Sequence, residues 1–271
     1  MNYDEILIDI NQVLRDKMGD KNVRLPSVII KLLKRIIHQK EINDLIISGK
    51  GKRGHEFCEH VLESLDIKLS VKGEDNFPDT YTNVFVSNHP LGGPDGLALA
   101  MLLGNRYEGR IKLLVNDLLM SIKVLAPLFV PVNKTGAQSR VLPDLVNNTF
   151  CSDNNILMFP AGLCSRRIKG VIKDLPWSKT FVTKSMQFKR DIIPIRFEGA
   201  NSDFFYRLAN INKAIGLKFN VAMLFLADEM FKKRGETFNV TIGKPLSWRF
   251  FDNSKSASDW AKYVQNIIYS L

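Results

Sequence analysis

Val84-Phe85-Val86-Ser87-Asn88-His89-Pro90-Leu91-Gly92-Gly93-Pro94-Asp95-Gly96 decides how this chain folds. Its first four residues carry no charge, as in a strand covered on both faces. A turn rich in glycine and proline follows, and then an apolar helical pattern over Gly96–Leu103. A strand end, a glycine turn and a helix start form the usual place for a site in an α/β sheet. This turn carries His89 and Asp95. A neutral imidazole can take a proton from a hydroxyl when a carboxylate holds its other nitrogen. Gly92 and Gly93 permit the backbone angles that would bring the pair together. The other role open to Asp95 is to cap the helix, with His89 a polar residue at a strand end.

The strand of this stretch, Asn83–Ser87, is joined outward by strand-like runs at Ile111–Val115, Pro127–Val132, Ile156–Phe159, Ile192–Phe197, Ala222–Leu226 and Phe238–Ile242. Helical patterns at Gly96–Leu103, Gln138–Asn147 and Trp177–Lys189 lie between several of them. Apolar strands alternating with helices predict an α/β fold, a mixed or mostly parallel sheet flanked by helices. Residues 1–75 read as an N-terminal helical segment and 76–271 as the α/β domain. In the segment, Pro26 opens a run over Ser27–Ile47 with Ile29, Ile30, Leu33, Ile36 and Ile37 at helical spacing. Lys31, Lys34, Arg35 and Lys40 interleave with them. Such a helix either lies on an anionic bilayer or packs on the main domain with its basic face in solvent. Gly49-Lys50-Gly51-Lys52-Arg53-Gly54 lacks the order of a phosphate loop and reads as a linker. Lys72–Pro78 reads as a second loop.

With 271 residues, 45% of them hydrophobic, the chain can bury one large domain with a helical extension. A net charge of +10 implies an anionic partner: nucleic acid, an anionic membrane surface or acidic substrates. RNA-binding aromatic motifs, zinc fingers and helix-turn-helix patterns are missing, so nucleic acid is not expected. Cys58, Cys151 and Cys164, with His38, His55, His60 and His89, show no metal-ligand spacing. We therefore expect reduced thiols and no metal. No run approaches the roughly 18 apolar residues of a spanning helix. The first residues lack the order of a secretory signal, so a cytoplasmic protein is expected. There is no GxSxG, which argues against a serine lipase. Ser165–Arg190 holds eight basic side chains and one acid, Asp174. Lys184, Lys189 and Arg190 fit a solvated helix face. Arg166 and Arg167 follow a strand end near the turn, and arginine suits bidentate pairing with phosphate or carboxylate.

Asn88-His89, five residues, then Asp95 resembles the first motif of the glycerolipid (lysophosphatidic-acid-type) acyltransferase family, which has four residues in between. Phe129-Val130-Pro131-Val132-Asn133-Lys134 is similar to the second motif, with Asn133 and Lys134 in place of an Asp-Arg pair. Phe159-Pro160-Ala161-Gly162-Leu163-Cys164-Ser165-Arg166 is similar to the third, with Ala161 in place of its glutamate. Ile193-Pro194-Ile195 is similar to the fourth. Asp174, Trp177 and Phe197-Glu198-Gly199-Ala200-Asn201-Ser202 resemble a branch that carries a hemolysin label and includes acyltransferases of ornithine and glycine aminolipid synthesis. The resemblance implies transfer of a fatty acyl group from acyl carrier protein or coenzyme A to the hydroxyl of a lyso-lipid, without a cofactor. It implies His89 as base and Asp95 as its partner, with Asn88, Asn133, Lys134, Gly162, Ser165, Arg166 and Arg167 at the substrate. The loss of the glutamate implies an acceptor other than glycerol 3-phosphate, such as a mono-acylated aminolipid, on the cytoplasmic face of a bacterial inner membrane. Lysophosphatidic acid as acceptor, and a non-catalytic membrane-binding protein, are the alternatives.

Overall fold

The computed structural model describes residues 6–13, 26–133, 142–215 and 221–271. The deciding stretch begins with β2 (Val84–Ser87), and all four of its residues are buried. Seven strands form one sheet in the order β1 (Lys68–Lys72), β9 (Thr237–Ile242), β8 (Ile192–Phe197), β2, β5 (Asn155–Met158), β3 (Ile111–Asn116), β4 (Phe129–Asn133). Every neighbouring pair is parallel except β8 with β9. The fold is α/β with a mixed, mostly parallel sheet. A separate antiparallel hairpin joins β6 (Arg166–Ile168) to β7 (Val171–Lys173).

Successive side chains of a strand serve opposite faces, so the central strands fill two cores. Phe85 lies with Leu157, Ile193, Ile195 and Phe197 in one, covered by α3 (His55–Ser64) and α4 (Pro94–Arg106). Val84 and Val86 lie with Ile156, Met158 and Ile192 in the other, covered by α6 (Thr180–Phe188) and α9 (Ala257–Ser270). Each such buried side chain contributes roughly 1.5–3 kcal/mol. The α3–α4 contact depends on Gly104, where a Cβ would lie 2.3 Å from that of His55.

The Ser27–Ile47 run is two helices, α1 (Ser27–Ile36) and α2 (Gln39–Ser48), because His38 takes a left-handed φ of 53° between them. Its ring bonds Asp228 Oδ1 at 3.1 Å, tying the break to α8 (Leu226–Lys232). No side chain of α1 is buried. β1 lies inside the 1–75 segment, so that segment adds a strand to the sheet as well as helices. Ala222–Leu226 is not a strand. Val221–Phe225 forms a 3-10 turn, with the Val221 N–H held by Asn212 Oδ1, and Leu226 begins α8. Its apolar side chains face α7 (Asp203–Ala214) rather than a sheet, and Ala222 packs with Phe205, Tyr206 and Ala209. The helix expected over Gln138–Asn147 is described as α5 (Leu142–Cys151); its expected start lies outside the described residues. Among the described residues no helix is long and apolar enough to cross a membrane.

Candidate active site

β2 ends at the middle of the sheet, and the chain turns sharply into α4. Gly92 makes the turn possible with a φ of 82°, and it also has no room for a side chain. A Cβ there would lie 2.8 Å from the Cys164 Cβ and 2.9 Å from Leu226 Cδ2. Asp95 Oδ2 stands 3.0 Å from His89 Nδ1. The same oxygen accepts the Leu91 N–H at 2.9 Å, and Oδ1 accepts the Gly96 N–H at 2.9 Å. Asp95 is fully buried in the first turn of α4, where a negative charge also suits the helix dipole. The N-cap is Gly93, with no side-chain capping bond, so of the two roles open to Asp95 in the sequence the structure shows the pairing with His89.

Because a carboxylate only accepts, His89 carries its proton on Nδ1 and presents the Nε2 lone pair. The ring stacks on Phe159, with centroids 4.0 Å apart. Burial works against the imidazolium. The charge and hydrogen bond of Asp95, helped by the charge of Asp174, outweigh burial and raise the His89 pKa above the ordinary histidine value; Arg166 opposes them. Asp95 is the mirror case. Burial favours its protonated form, yet the His89 interaction and the turn N–H groups hold its pKa below the usual carboxylate value. An imidazole so held can accept a proton at Nε2 and return it.

The profile of a family described as Acyltransferase matches residues 12–271. The chain belongs to the acyltransferase family. It is 54% identical to the lyso-glycine lipid O-acyltransferase of Phocaeicola vulgatus, over 98% of this chain and 95% of that protein. It is also 54% identical to the protein of the same name from Bacteroides thetaiotaomicron, over 98% of this chain and 97% of that one. A solved structure, the 1-acyl-sn-glycerophosphate acyltransferase PlsC of Thermotoga maritima, aligns over 89% of this chain and 95% of its own. Its identity is 14% and its TM-score 0.45.

The remaining residues expected at the acyltransferase's site differ in what holds them. Asn88 and Ser165 are braces. The Asn88 amide exchanges two hydrogen bonds of 2.8 Å with the Phe197 main chain and so locks β2 to the end of β8. Ser165 is buried and donates to Asp174 at 2.5 Å, while its N–H donates to the His89 carbonyl at 2.7 Å. Both side chains are thus engaged within the fold, and the substrate contact expected of them is a proposal. Gly162, at φ 69°, follows β5 with open space where a Cβ would stand. Arg166 is buried, pinned through Nη1 to the Cys164 and Ser165 carbonyls, and makes no ion pair with a described residue. Arg167 pairs with Asp203 at 2.7 Å and lies over the Tyr206 ring, so it is already neutralised. Asn133 ends β4, which β5 and β3 separate from β2. At the usual strand spacing that is roughly 14 Å, so the second motif does not stand beside the first. Lys134 lies outside the described residues. Cys164 is buried, with a thiol pKa pushed up by that burial, as fits a packing residue rather than a nucleophile.

Sequence reasoning missed two supports. Asp174, buried at the end of the β6–β7 hairpin, accepts from Ser165, from Trp177 and from the His89 main chain. Asn201 donates to the Leu91 carbonyl at 3.2 Å, and the next residue, Ser202, is held by the buried Glu229. Asp174 is the one acid in the basic run Ser165–Arg190, and that isolation was the available signal.

Proposed function

We propose that this acyltransferase moves a fatty acyl group from a thioester, on acyl carrier protein or coenzyme A, to the hydroxyl of a mono-acylated glycine lipid. The observation that carries the reading is the 3.0 Å bond that fixes the His89 proton on Nδ1 and leaves Nε2 as a base. The names of the two relatives at 54% identity support the acceptor. His89 Nε2 takes the proton of the acceptor hydroxyl as its oxygen attacks the thioester carbonyl. Asp95 stabilises the resulting imidazolium. The tetrahedral intermediate collapses, the C–S bond breaks, and the imidazolium returns its proton to the departing thiolate. An ester and a free thiol result. Positioned general-base help of this kind is worth roughly a hundred- to ten-thousand-fold.

Arg166, which makes no ion pair with a described residue, is our candidate for the acceptor's carboxylate, where a charge-assisted bond would orient the head group. The acceptor is a lipid, so the enzyme works at a bilayer surface, and α1 is the proposed contact. Val28, Ile29 and Leu32 are 73%, 42% and 55% exposed there, flanked by Lys31, Lys34 and Arg35. The test is mass spectrometry of lipids formed by the purified protein from an acyl thioester and either a mono-acylated glycine or lysophosphatidic acid. We expect the glycine lipid to be acylated, and His89→Ala to abolish it. Acylation of lysophosphatidic acid alone would overturn the acceptor assignment. Full activity in a folded His89→Ala protein would overturn the mechanism.

A further inference from the structure

Asp174 is 4% exposed, and its carboxylate accepts only from donors. Ser165 Oγ reaches it at 2.5 Å, Trp177 Nε1 at 2.9 Å, and the His89 main-chain N–H stands 3.3 Å from both oxygens. Its own N–H donates to the Tyr269 hydroxyl of α9 at 2.8 Å. The Asp174 carboxylate thus ties the turn after β2 to the start of the β6–β7 hairpin and to Trp177, and its main-chain N–H ties the same point to the C-terminal helix. Burying a charge is costly, and an apolar substitute of similar volume would often hold a fold as well. The charge itself therefore calls for a use.

The charged groups that act on the His89 ring come from three elements. They are Asp95 on α4, Asp174 after β7, and Arg166 on β6; Cys164 faces them as a neutral thiol. With a neutral imidazole these groups sum to one negative charge. When the imidazole takes a proton, the sum becomes zero. Without Asp174 the same step would take a neutral buried cluster to a net positive one, which a low-dielectric site resists.

We infer that Asp174 is a positioning residue for His89, one that clamps the turn from behind and supplies the charge that lets the imidazole accept a proton without building net charge. The inference rests on the reading of His89 as the base.

Asp174→Asn tests it in the full-length protein. An amide in this place can keep its oxygen toward Trp177 and donate to Ser165 Oγ, so most of the contacts survive while the charge goes. The measurements are thermal unfolding and kcat/KM against pH, with a mono-acylated glycine as acceptor. We expect a folded protein whose acid limb moves to lower pH by roughly half to one unit. Its kcat should fall roughly tenfold, with KM for the acceptor little changed. A limb in the wild-type position in a folded Asp174→Asn protein would overturn the proposal. Should that variant fail to fold, Trp177→Phe serves instead. It removes one donor from the clamp but keeps the charge, so kcat should fall while the acid limb stays in its wild-type position. Wild-type kcat in folded Trp177→Phe would overturn the proposal as well. His89→Ala separates the two layers: if it keeps full turnover, the base assignment is wrong; if it is inactive while Asp174→Asn keeps its limb, only the role of Asp174 fails.

Discussion

Asp95→Asn is the sharpest probe of the pair, because the structure says which way the new amide must face. With its oxygen in the place of Oδ2, it still accepts from His89 Nδ1 at 3.0 Å and from the Leu91 N–H at 2.9 Å. Its NH2 then opposes the Gly96 N–H, where Oδ1 accepted at 2.9 Å. The reverse orientation sets NH2 against two donors and satisfies one. The first orientation is therefore favoured by the desolvation cost of about one unmade bond, roughly 1–3 kcal/mol. It preserves the proton on Nδ1 and loses only the charge. A bond to a charged group contributes about 1.5–3 kcal/mol and a neutral one about 0.5–1.5. The difference of about 1–2 kcal/mol falls on the imidazolium, and kcat should drop roughly five- to thirty-fold. His89→Ala should drop it roughly a hundred- to ten-thousand-fold. The assay is single-turnover acyl transfer at saturating acceptor, with unfolding temperatures to confirm folding. A folded Asp95→Asn enzyme with wild-type kcat would refute the reasoning. A loss equal to that of His89→Ala would mean that the amide faces the other way and the imidazole has lost its free nitrogen.

Three further outcomes are expected. The His89 pKa is raised and the neutral form is the base, so activity should fall as pH drops through a value above the ordinary 6.5; Asp95, its pKa lowered, stays charged across that range. A pH–rate profile with its acid limb below 6.5 would contradict this. Gly92→Ala combines left-handed strain with overpacking against Cys164 and Leu226, and should cost about 2–5 kcal/mol in chemical denaturation along with most of the turnover. Replacing Lys31, Lys34 and Arg35 by Glu should abolish binding to anionic vesicles, each cation near such a surface contributing on the order of 1 kcal/mol. Turnover of a detergent-dispersed acceptor should persist, and unchanged sedimentation with vesicles would move the membrane contact away from α1.

The parts of the fold that were legible in the sequence are those where burial is two-sided. Val84–Ser87 and Ile192–Phe197 are covered on both faces, so their apolar runs are unbroken and their strand character is plain. β1 was not legible because Lys68-Leu69-Ser70-Val71-Lys72 lies at the sheet edge with both lysines in solvent. The β6–β7 hairpin was hidden because its residues were read as a run of charge. Ala222–Leu226 has strand-like composition, but its partners are the side chains of α7 and Cys164, a contact that no local pattern encodes. At the site, His89 and Asp95 could be paired because the glycines between them advertise a turn. Asn88 and Ser165 share motif positions with substrate ligands, yet their hydrogen bonds are spent on residues 109 and 9 positions away. Only the closed sheet reveals that.

The parallel ladder between β1 and β9 sets a timetable for the nascent chain. Among the described residues β1 has no other strand partner, and β9 leaves the ribosome some 165 residues later. At roughly 5–20 residues per second, β1 waits about ten to thirty seconds before it can join the sheet. In that interval β8 and β2 can already pair, so the partly made molecule offers an open strand edge on the side that β9 will cover. A chain that stops short of residue 237 would keep that edge permanently. Premature termination between β8 and residue 237 should therefore produce a sticky, half-closed sheet, even though the whole of the His89 turn has been made.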